Sequence, residues 1–269
     1  MKLAAQMYTL REFCQTEEDI EKSLRKLKEI GYNAIQISGF GPHRVEWLAE
    51  LLKELDMQAV TPHIPFNRVV DETDAVIAEM KLLGCEAVGI GELPLKEYKL
   101  DAVLELYEKL SPAIDKIYAA GLSFAFHNHW REFVVNGEDG KNSFDRFCDA
   151  FPAEKAGFIM DFYWAVYACQ DPIKTIEKYK DRVRELVHFK DMTMNEKGER
   201  IYTEVYEGFI DYTAIYNKLK ETDCKWVAVE EDNIPNKGDP FEALAKSLAN
   251  IKAHGLAFDN IYNIEKAPL

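Results

Sequence analysis

Short apolar runs and longer amphipathic segments alternate in strict order along this chain, and that alternation limits the fold more than any single motif does. LAAQMY (3–8) reads as a strand. EEDIEKSLRKLKEIG (17–31) reads as a helix, with Ile20, Leu24, Leu27 and Ile30 on one face and a terminating glycine. The same pair recurs as NAIQISG (33–39) with RVEWLAELLKELD (44–56), then as MQAVTPHI (57–64) with DETDAVIAEMKLLG (71–84). EAVGIGE (86–92) precedes a helix over 99–120, and LSFAFHNH (122–129) precedes one near Ser143–Ala150. KAGFIMDF (155–162) is followed by PIKTIEKYKDR (172–182). ELVHFKD (185–191) is followed by a long loop to Phe209 and the helix IDYTAIYNKLKETD (210–223). KWVAVEED (225–232) and DPFEALAKSLANIKAHG (239–255) complete the series.

Strands that alternate with helices pair in parallel through right-handed crossovers. About eight such units in 269 residues predict an α/β protein, a single (β/α)8 TIM barrel spanning 1–269 as one domain. An open doubly wound sheet is the competing arrangement. The first strand, however, is not followed by the G-x-G-x-x-G turn of a dinucleotide fold. The closing IYNIEKAPL reads as a surface extension.

Apolar residues make up 47% and charged residues 30%, as in a water-soluble globular protein, and no run of about 18 apolar residues exists to span a membrane. MKLAAQMYTLREF has too short an apolar run for a signal peptide. The five cysteines (Cys14, Cys85, Cys148, Cys169, Cys224) show no paired spacing, which fits reduced thiols and a cytoplasmic location. A formal charge of −14 repels a phosphate backbone and argues against nucleic acid as a partner. A homo-oligomer is compatible with the sequence.

Barrel enzymes place their reactive groups at the C-terminal ends of the strands. The third strand here ends in His63, and the fifth in His127 and His129 with Glu132 just beyond. The sixth ends in Asp161, the seventh in His188, Lys190 and Asp191, and the eighth in Glu230, Glu231 and Asp232. With a period of two, His127 and His129 share a face, as do His188 and Lys190, and Glu230 and Asp232. Ala228 and Glu230 are expected to line the lumen while Val227 and Val229 meet the helices. Carboxylates converging at a barrel mouth must be protonated, paired with cations or bound to metal. Two glutamates, an aspartate and a histidine would suit Mn2+, Mg2+, Co2+ or Zn2+.

HNHWREF (127–133), MDFYW (160–164), VHFKD (187–191) and VEED (229–232), with Asp171–Pro172 shortly after the sixth strand, occur in this order. Together they resemble the xylose isomerase-like TIM-barrel family, and within it the sugar phosphate isomerase/epimerase branch, over nearly the whole chain. The resemblance implies one divalent metal held by a glutamate, an aspartate, a histidine and a second glutamate. Carried over, these are Glu132, Asp161, His188 and Glu230. The first position stays open, because many members carry a glutamate on the fifth strand where this chain has His127. His127 or His129 is the alternative ligand. A second departure is YEGFID (206–211), which has tyrosine where relatives often have the first glycine of G-E-G-x-I-D.

The implied chemistry is proton abstraction next to a carbonyl of a sugar or sugar-like substrate, giving a metal-stabilised enediolate and then an isomer or epimer. By the same resemblance Glu132, Glu230 and His129 are the catalytic candidates. His63, His127, Trp164 and Lys190 are the substrate-binding candidates. A metal-dependent dehydratase or lyase acting on a keto-inositol shares the first step. A non-catalytic sugar-binding protein is a further reading. A DNA-repair nuclease of the same superfamily conflicts with the acidic charge. His43 and His254, at predicted helix ends, read as surface residues.

Overall fold

The computed structural model describes residues 1–232 and 238–261. The first apolar run forms β1 (Lys2–Gln6) and leads through a 3-10 segment (Met7–Phe13) into α1 (Glu17–Ile30). Thr16 caps α1 by accepting a hydrogen bond from the Asp19 amide, and three acidic residues fill the first turn. Both devices offset the unpaired amides of a helix start. The chain continues through β2 (Ala34–Gln36), α2 (Val45–Glu54), β3 (Gln58–Ala59), α3 (Phe66–Asp71), α4 (Thr73–Leu83), β4 (Ala87–Ile90) and α5 (Leu100–Ala119). Next come β5 (Ser123–His127), α6 (Ser143–Ala150), β6 (Ala156–Asp161), α7 (Phe162–Tyr167), α8 (Pro172–Lys178) and β7 (Leu186–Phe189). A hairpin of β8 (Asp191–Met194) and β9 (Arg200–Thr203) precedes α9 (Tyr212–Leu219), β10 (Trp226–Val229) and α10 (Pro240–Ala253).

Eight of the ten described strands form one sheet in the order β3-β2-β1-β10-β7-β6-β5-β4, with every neighbouring pair parallel. Its ends meet through a parallel bridge between His63 and Gly89. The Ile64 amide donates to the Gly89 carbonyl at 2.8 Å, and the Gly89 amide to the Pro62 carbonyl at 3.1 Å. A Cβ on residue 89 would lie 2.7 Å from the Pro62 carbonyl oxygen, so this closure requires glycine. The sheet is therefore the expected (β/α)8 barrel.

Period-two alternation divides the core into two. Ala4, Ala34, Val60, Ala125, Ile159, Leu186 and Ala228 pack together in the lumen. The other face of the strands, including Leu3, Ile35, Val88, Phe124, Phe158, Val187, Val227 and Val229, joins the helices in the larger core. Ala228 and its two valine neighbours divide as their size predicts. The small lumen side chains matter for what lies above them. Two residues beyond Ala4, Ala34, Ala125, Ile159, Leu186 and Ala228 stand Gln6, Gln36, His127, Asp161, His188 and Glu230, all buried. An apolar plug thus supports a ring of polar groups at the C-terminal mouth.

The structure corrects the sequence reading in four places. The expected long loop before Phe209 contains the β8–β9 hairpin. Its turn is organised by Asn195, whose Oδ1 accepts from the amides of Lys197 and Glu199. Helices α3 and α7 are additional. Each has six residues, too few to show a helical period, and α7 (FYWAVY) has no polar face. The fifth strand ends at His127, so His129 belongs to the following loop. The third strand has only two residues in regular pairing, and His63 follows it. Residues 262–269 of the closing segment lie outside the described residues. None of the described helices is long and apolar enough to cross a membrane.

Candidate metal centre at the barrel mouth

Four buried side chains converge above the lumen plug: His127 from β5, Asp161 from β6, His188 from β7, and Glu230 just after β10. One ligand atom from each lies within 4.8 Å of all the others. Asp161 and His188 are register partners on adjacent strands, which makes them neighbours by construction. Asp161 Oδ2 lies 3.5 Å from His127 Nε2 and 3.6 Å from His188 Nδ1, and Glu230 Oε2 lies 2.9 Å from His188 Nδ1. Bonds of about 2.1 Å in a tetrahedral site place ligand atoms about 3.4 Å apart, which is the scale seen here.

The far side of each imidazole sets its tautomer. His127 Nδ1 lies 2.9 Å from the Gly91 carbonyl oxygen and donates to it, leaving Nε2 with its lone pair. His188 Nε2 lies 2.6 Å from Gln36 Oε1. The Gln36 amide is oriented by its own Nε2, which donates to the Thr61 carbonyl, so His188 must carry its proton on Nε2 and face Asp161 and Glu230 with Nδ1. Both inward nitrogens are buried and make no well-formed hydrogen bond. Two buried inward imidazole nitrogens beside two carboxylates are a donor set that a divalent cation can satisfy, so the residues fit the group that the sequence motifs imply.

Glu132 does not join this group. The short 3-10 turn Arg131–Phe133 carries it into the wall behind β5, where it is fully buried. Its Oε1 accepts from the Tyr98 hydroxyl at 2.6 Å and its Oε2 from the His129 amide at 2.8 Å. Burial raises its pKa, opposed by those hydrogen bonds. His127 takes the place expected of Glu132. This follows from β5 ending at His127, with Asn128 turned outward. Asn128 accepts from the Asp161 amide at 2.8 Å and donates to the Asp161 carbonyl at 3.2 Å, extending the β5–β6 pairing with a side chain.

Lys190 was expected to face substrate, and its ammonium is almost fully buried among carboxylates. Its Nζ lies 2.5 Å from Asp232 Oδ2, 3.2 Å from Glu230 Oε2 and 3.4 Å from Asp161 Oδ2. The rings of Trp164, Tyr163 and Tyr202 surround it at 5.2, 5.5 and 5.6 Å. Tyr202 comes from the hairpin, so the additional β8–β9 unit closes one side of the site. Burial opposes charge on Lys190, but Asp232, Glu230 and Asp161 outweigh it and hold the pKa well above the ordinary value. Burial would also raise Asp161 and Glu230. Lys190 and the histidines reverse that and hold both carboxyls below their ordinary range.

A cavity of about 540 Å³ has a lining that includes His63, His127, His129, Lys190, Glu230 and Asp232, whereas Trp164, also predicted to bind substrate, is not in that lining and instead packs against Lys190 and His129. His63 sits under the pocket, with its Nε2 buried and unpartnered, while Nδ1 lies 3.4 Å from both Gln6 Nε2 and Ser38 Oγ. Gln6 Oε1 accepts from the Tyr8 amide, so its amide nitrogen faces His63 Nδ1, and the imidazole proton belongs on Nε2. Burial, with His127 and His188 nearby, keeps His63 neutral. Burial beside His127 lowers His129 to about 3, so it too is neutral. The His129 ring lies edge-on to His127 at 5.0 Å and 5.2 Å from Trp164. His43 is partly exposed and binds the Gly41 carbonyl, and His254 is exposed.

Gln36, Gln6, Asn128, Tyr98 and Asp232 carry much of this arrangement; the sequence reading gave no role to the first four and placed Asp232 only as a strand-end group on the face of Glu230. Gln36 and Gln6 were legible in principle. A glutamine that ends an apolar strand two residues after a lumen alanine needs a polar partner in the barrel.

A closed α/β barrel carries at its C-terminal mouth a buried His/Asp/Glu group that could hold a metal ion. The family model for the xylose isomerase-like TIM barrel matches residues 24–254, and the chain belongs to that family. An inosose dehydratase of Lacticaseibacillus casei is 24% identical over 154 residues, 52% of this chain and 50% of the relative. The match thus spans about half the length of that curated relative. A sugar phosphate isomerase/epimerase from Parabacteroides distasonis superposes with a TM-score of 0.79 at 22% identity, covering 94% of each chain. The IOLI protein with a bound zinc atom superposes with a TM-score of 0.71 at 16% identity, covering 96% of this chain and 100% of that one. At such identities the two structures share the fold with this chain.

Proposed function

We propose that the protein is a divalent-metal-dependent isomerase or epimerase acting on a keto-sugar or sugar-like polyol. The observation that carries this reading is the convergence of His127 Nε2, Asp161, His188 Nδ1 and Glu230 on one point at the barrel mouth, beside a cavity large enough for a monosaccharide. Two imidazoles with two carboxylates suit Zn2+, Mn2+ or Co2+ better than Mg2+, which favours all-oxygen coordination. His127, Asp161, His188 and Glu230 would hold such an ion, which would supply the Lewis acidity that acidifies a C–H bond next to a substrate carbonyl.

The chain's own residues then supply proton transfer and positioning. Glu230, held ionised by Lys190 and His188, is the base that lines the cavity. His129, neutral and on another wall, returns or relays the proton. His63 donates its Nε2 hydrogen, and Lys190 its ammonium hydrogens, to oxygens on which negative charge grows. Trp164 flanks Lys190 and His129 and completes the aromatic side of the site. Glu132 acts through another residue: by accepting the His129 amide it fixes the loop that carries that imidazole.

The test is incorporation of solvent deuterium into a panel of ketoses and keto-inositols, with and without EDTA. Metal-dependent exchange at the carbon next to the carbonyl is expected. Exchange that survives EDTA, or none with any substrate, refutes the proposal. The inosose dehydratase relatives favour a second reading, in which the same first step is followed by loss of a β-hydroxyl. An enone absorbance from a keto-inositol would identify it. A binding protein without catalysis would retain ligand after Glu230→Gln and have no turnover to lose.

A further inference from the structure

Three carboxylates and three aromatic faces surround the Lys190 ammonium, and only one of the carboxylates stands outside the candidate ligand set. Asp161 Oδ2 and Glu230 Oε2, which the ammonium approaches at 3.4 and 3.2 Å, are also the oxygens that face the inward nitrogens of His127 and His188. Asp232 Oδ2, at 2.5 Å, is the nearest partner and is not a member of the four-residue group. We propose that Lys190 is an internal counter-cation of the metal centre, and that Asp232 is the arm that retains it when a metal ion takes over Asp161 and Glu230. The inference rests on the metal reading of the site.

Charge counting gives the argument its direction. With a divalent ion in place of any proton on its histidine ligands, Asp161, Glu230 and Asp232 contribute three negative charges and Lys190 one positive. A divalent ion brings the buried set to neutrality. Remove Lys190, and the set becomes more negative and attracts a cation more strongly. Remove the charge of Asp232, and among the described residues the ammonium keeps no carboxylate partner other than the two ligand carboxylates, where it competes with the ion. At these separations and in a poorly solvated site, one unit of charge is a large perturbation. The aromatic faces of Tyr163, Trp164 and Tyr202 keep the ammonium in place without adding formal charge. The wild-type arrangement therefore gives up metal affinity in return for an ammonium that stays in the site.

The experiment is calorimetric titration of the chelator-treated full chain with Mn2+, for wild type, K190M, D232N and the double variant. K190M is expected to bind about tenfold or more tightly, D232N to bind weaker by a similar factor, and the double variant to return to within about threefold of wild type. Metal-free K190M is expected to melt below the wild type, and saturating Mn2+ to close that gap, a readout independent of turnover. K190Q carries the same prediction and replaces K190M if that variant folds poorly. Unchanged or weaker binding by the lysine variants, while the wild type binds Mn2+, overturns this inference alone. A wild type that binds no divalent ion overturns the metal reading and this inference with it.

Discussion

Gln36 Oε1 accepts the Nε2 hydrogen of His188 at 2.6 Å, and this one contact decides which face of the imidazole is available to a metal ion. The Thr61 carbonyl holds the glutamine amide so that it cannot flip. Gln36→Leu keeps the size of the side chain and removes the acceptor. His188 is then free to rotate or change tautomer, and outer partners of this kind are worth about 10–100-fold in metal affinity. The variant is expected to fold and to bind Mn2+ or Zn2+ more weakly by that factor in a calorimetric titration. Affinity equal to wild type would show that the contact does not orient the ligand.

His127 and Glu132 are separated by a direct comparison. His127→Ala removes an inward nitrogen and is expected to weaken metal binding by at least about 100-fold, while Glu132→Gln, outside the group, stays within about threefold of wild type. Glu132→Gln instead loses a charge-assisted hydrogen bond to the His129 amide, at a cost to stability of roughly 1–3 kcal/mol. Denaturant unfolding and titration with Co2+, followed by its visible absorption, measure both effects. The reverse pattern would return Glu132 to the ligand set.

That comparison also marks the limit of what the sequence discloses. Barrel topology was legible because eight apolar runs must each bury both faces; Asp161, His188 and Glu230 were legible as polar groups at strand ends, and the family resemblance singled them out from the others there. Glu132 was misplaced because periodicity ends with the strand. A loop residue's direction depends on partners such as Tyr98, 34 positions away. The hairpin before α9 was missed for a similar reason. Its strands are four residues each, with only partial burial, so they show no clear apolar pattern. Tyr206 adopts a left-handed φ of 71°. Its ring stacks on His254 at 3.7 Å and 4°, a contact between residues 48 apart that no local pattern announces.

Metal removal should destabilise the fold, because a ligand that binds only the native state adds RT ln(1 + [L]/Kd). At a free metal concentration of about 100 times Kd this is about 2.7 kcal/mol, which for a chain of this size raises Tm by roughly 5–10 °C. Scanning calorimetry with EDTA and with excess Mn2+ or Zn2+ measures the difference. A Tm indifferent to every ion tested would remove the metal centre.

His188 gives the pH dependence its sign. Burial lowers its pKa, but Glu230 and Asp161 outweigh burial and raise it from 6.5 to about 9 in the metal-free protein. A group whose pKa is raised on folding stabilises the fold fully below its unfolded value, and that stabilisation is lost as pH climbs through the folded value. The metal-free protein should therefore lose this contribution between about pH 6.5 and about pH 9. The proton responsible sits on Nδ1, since Nε2 is already committed to Gln36, and Nδ1 is the atom a metal ion needs. Binding must expel that proton below about pH 9, so apparent metal affinity rises by up to about tenfold per pH unit across the window and flattens above it. In the metal-bound form the gain in affinity cancels that loss, so its stability against unfolding stays flat over the range in which the metal-free form loses stability. Titrations at about pH 6.5, 8 and 9.5, with proton release read from buffers of different ionisation enthalpy, measure the effect. A pH-independent affinity with no proton released would mean that His188 Nδ1 is not a ligand.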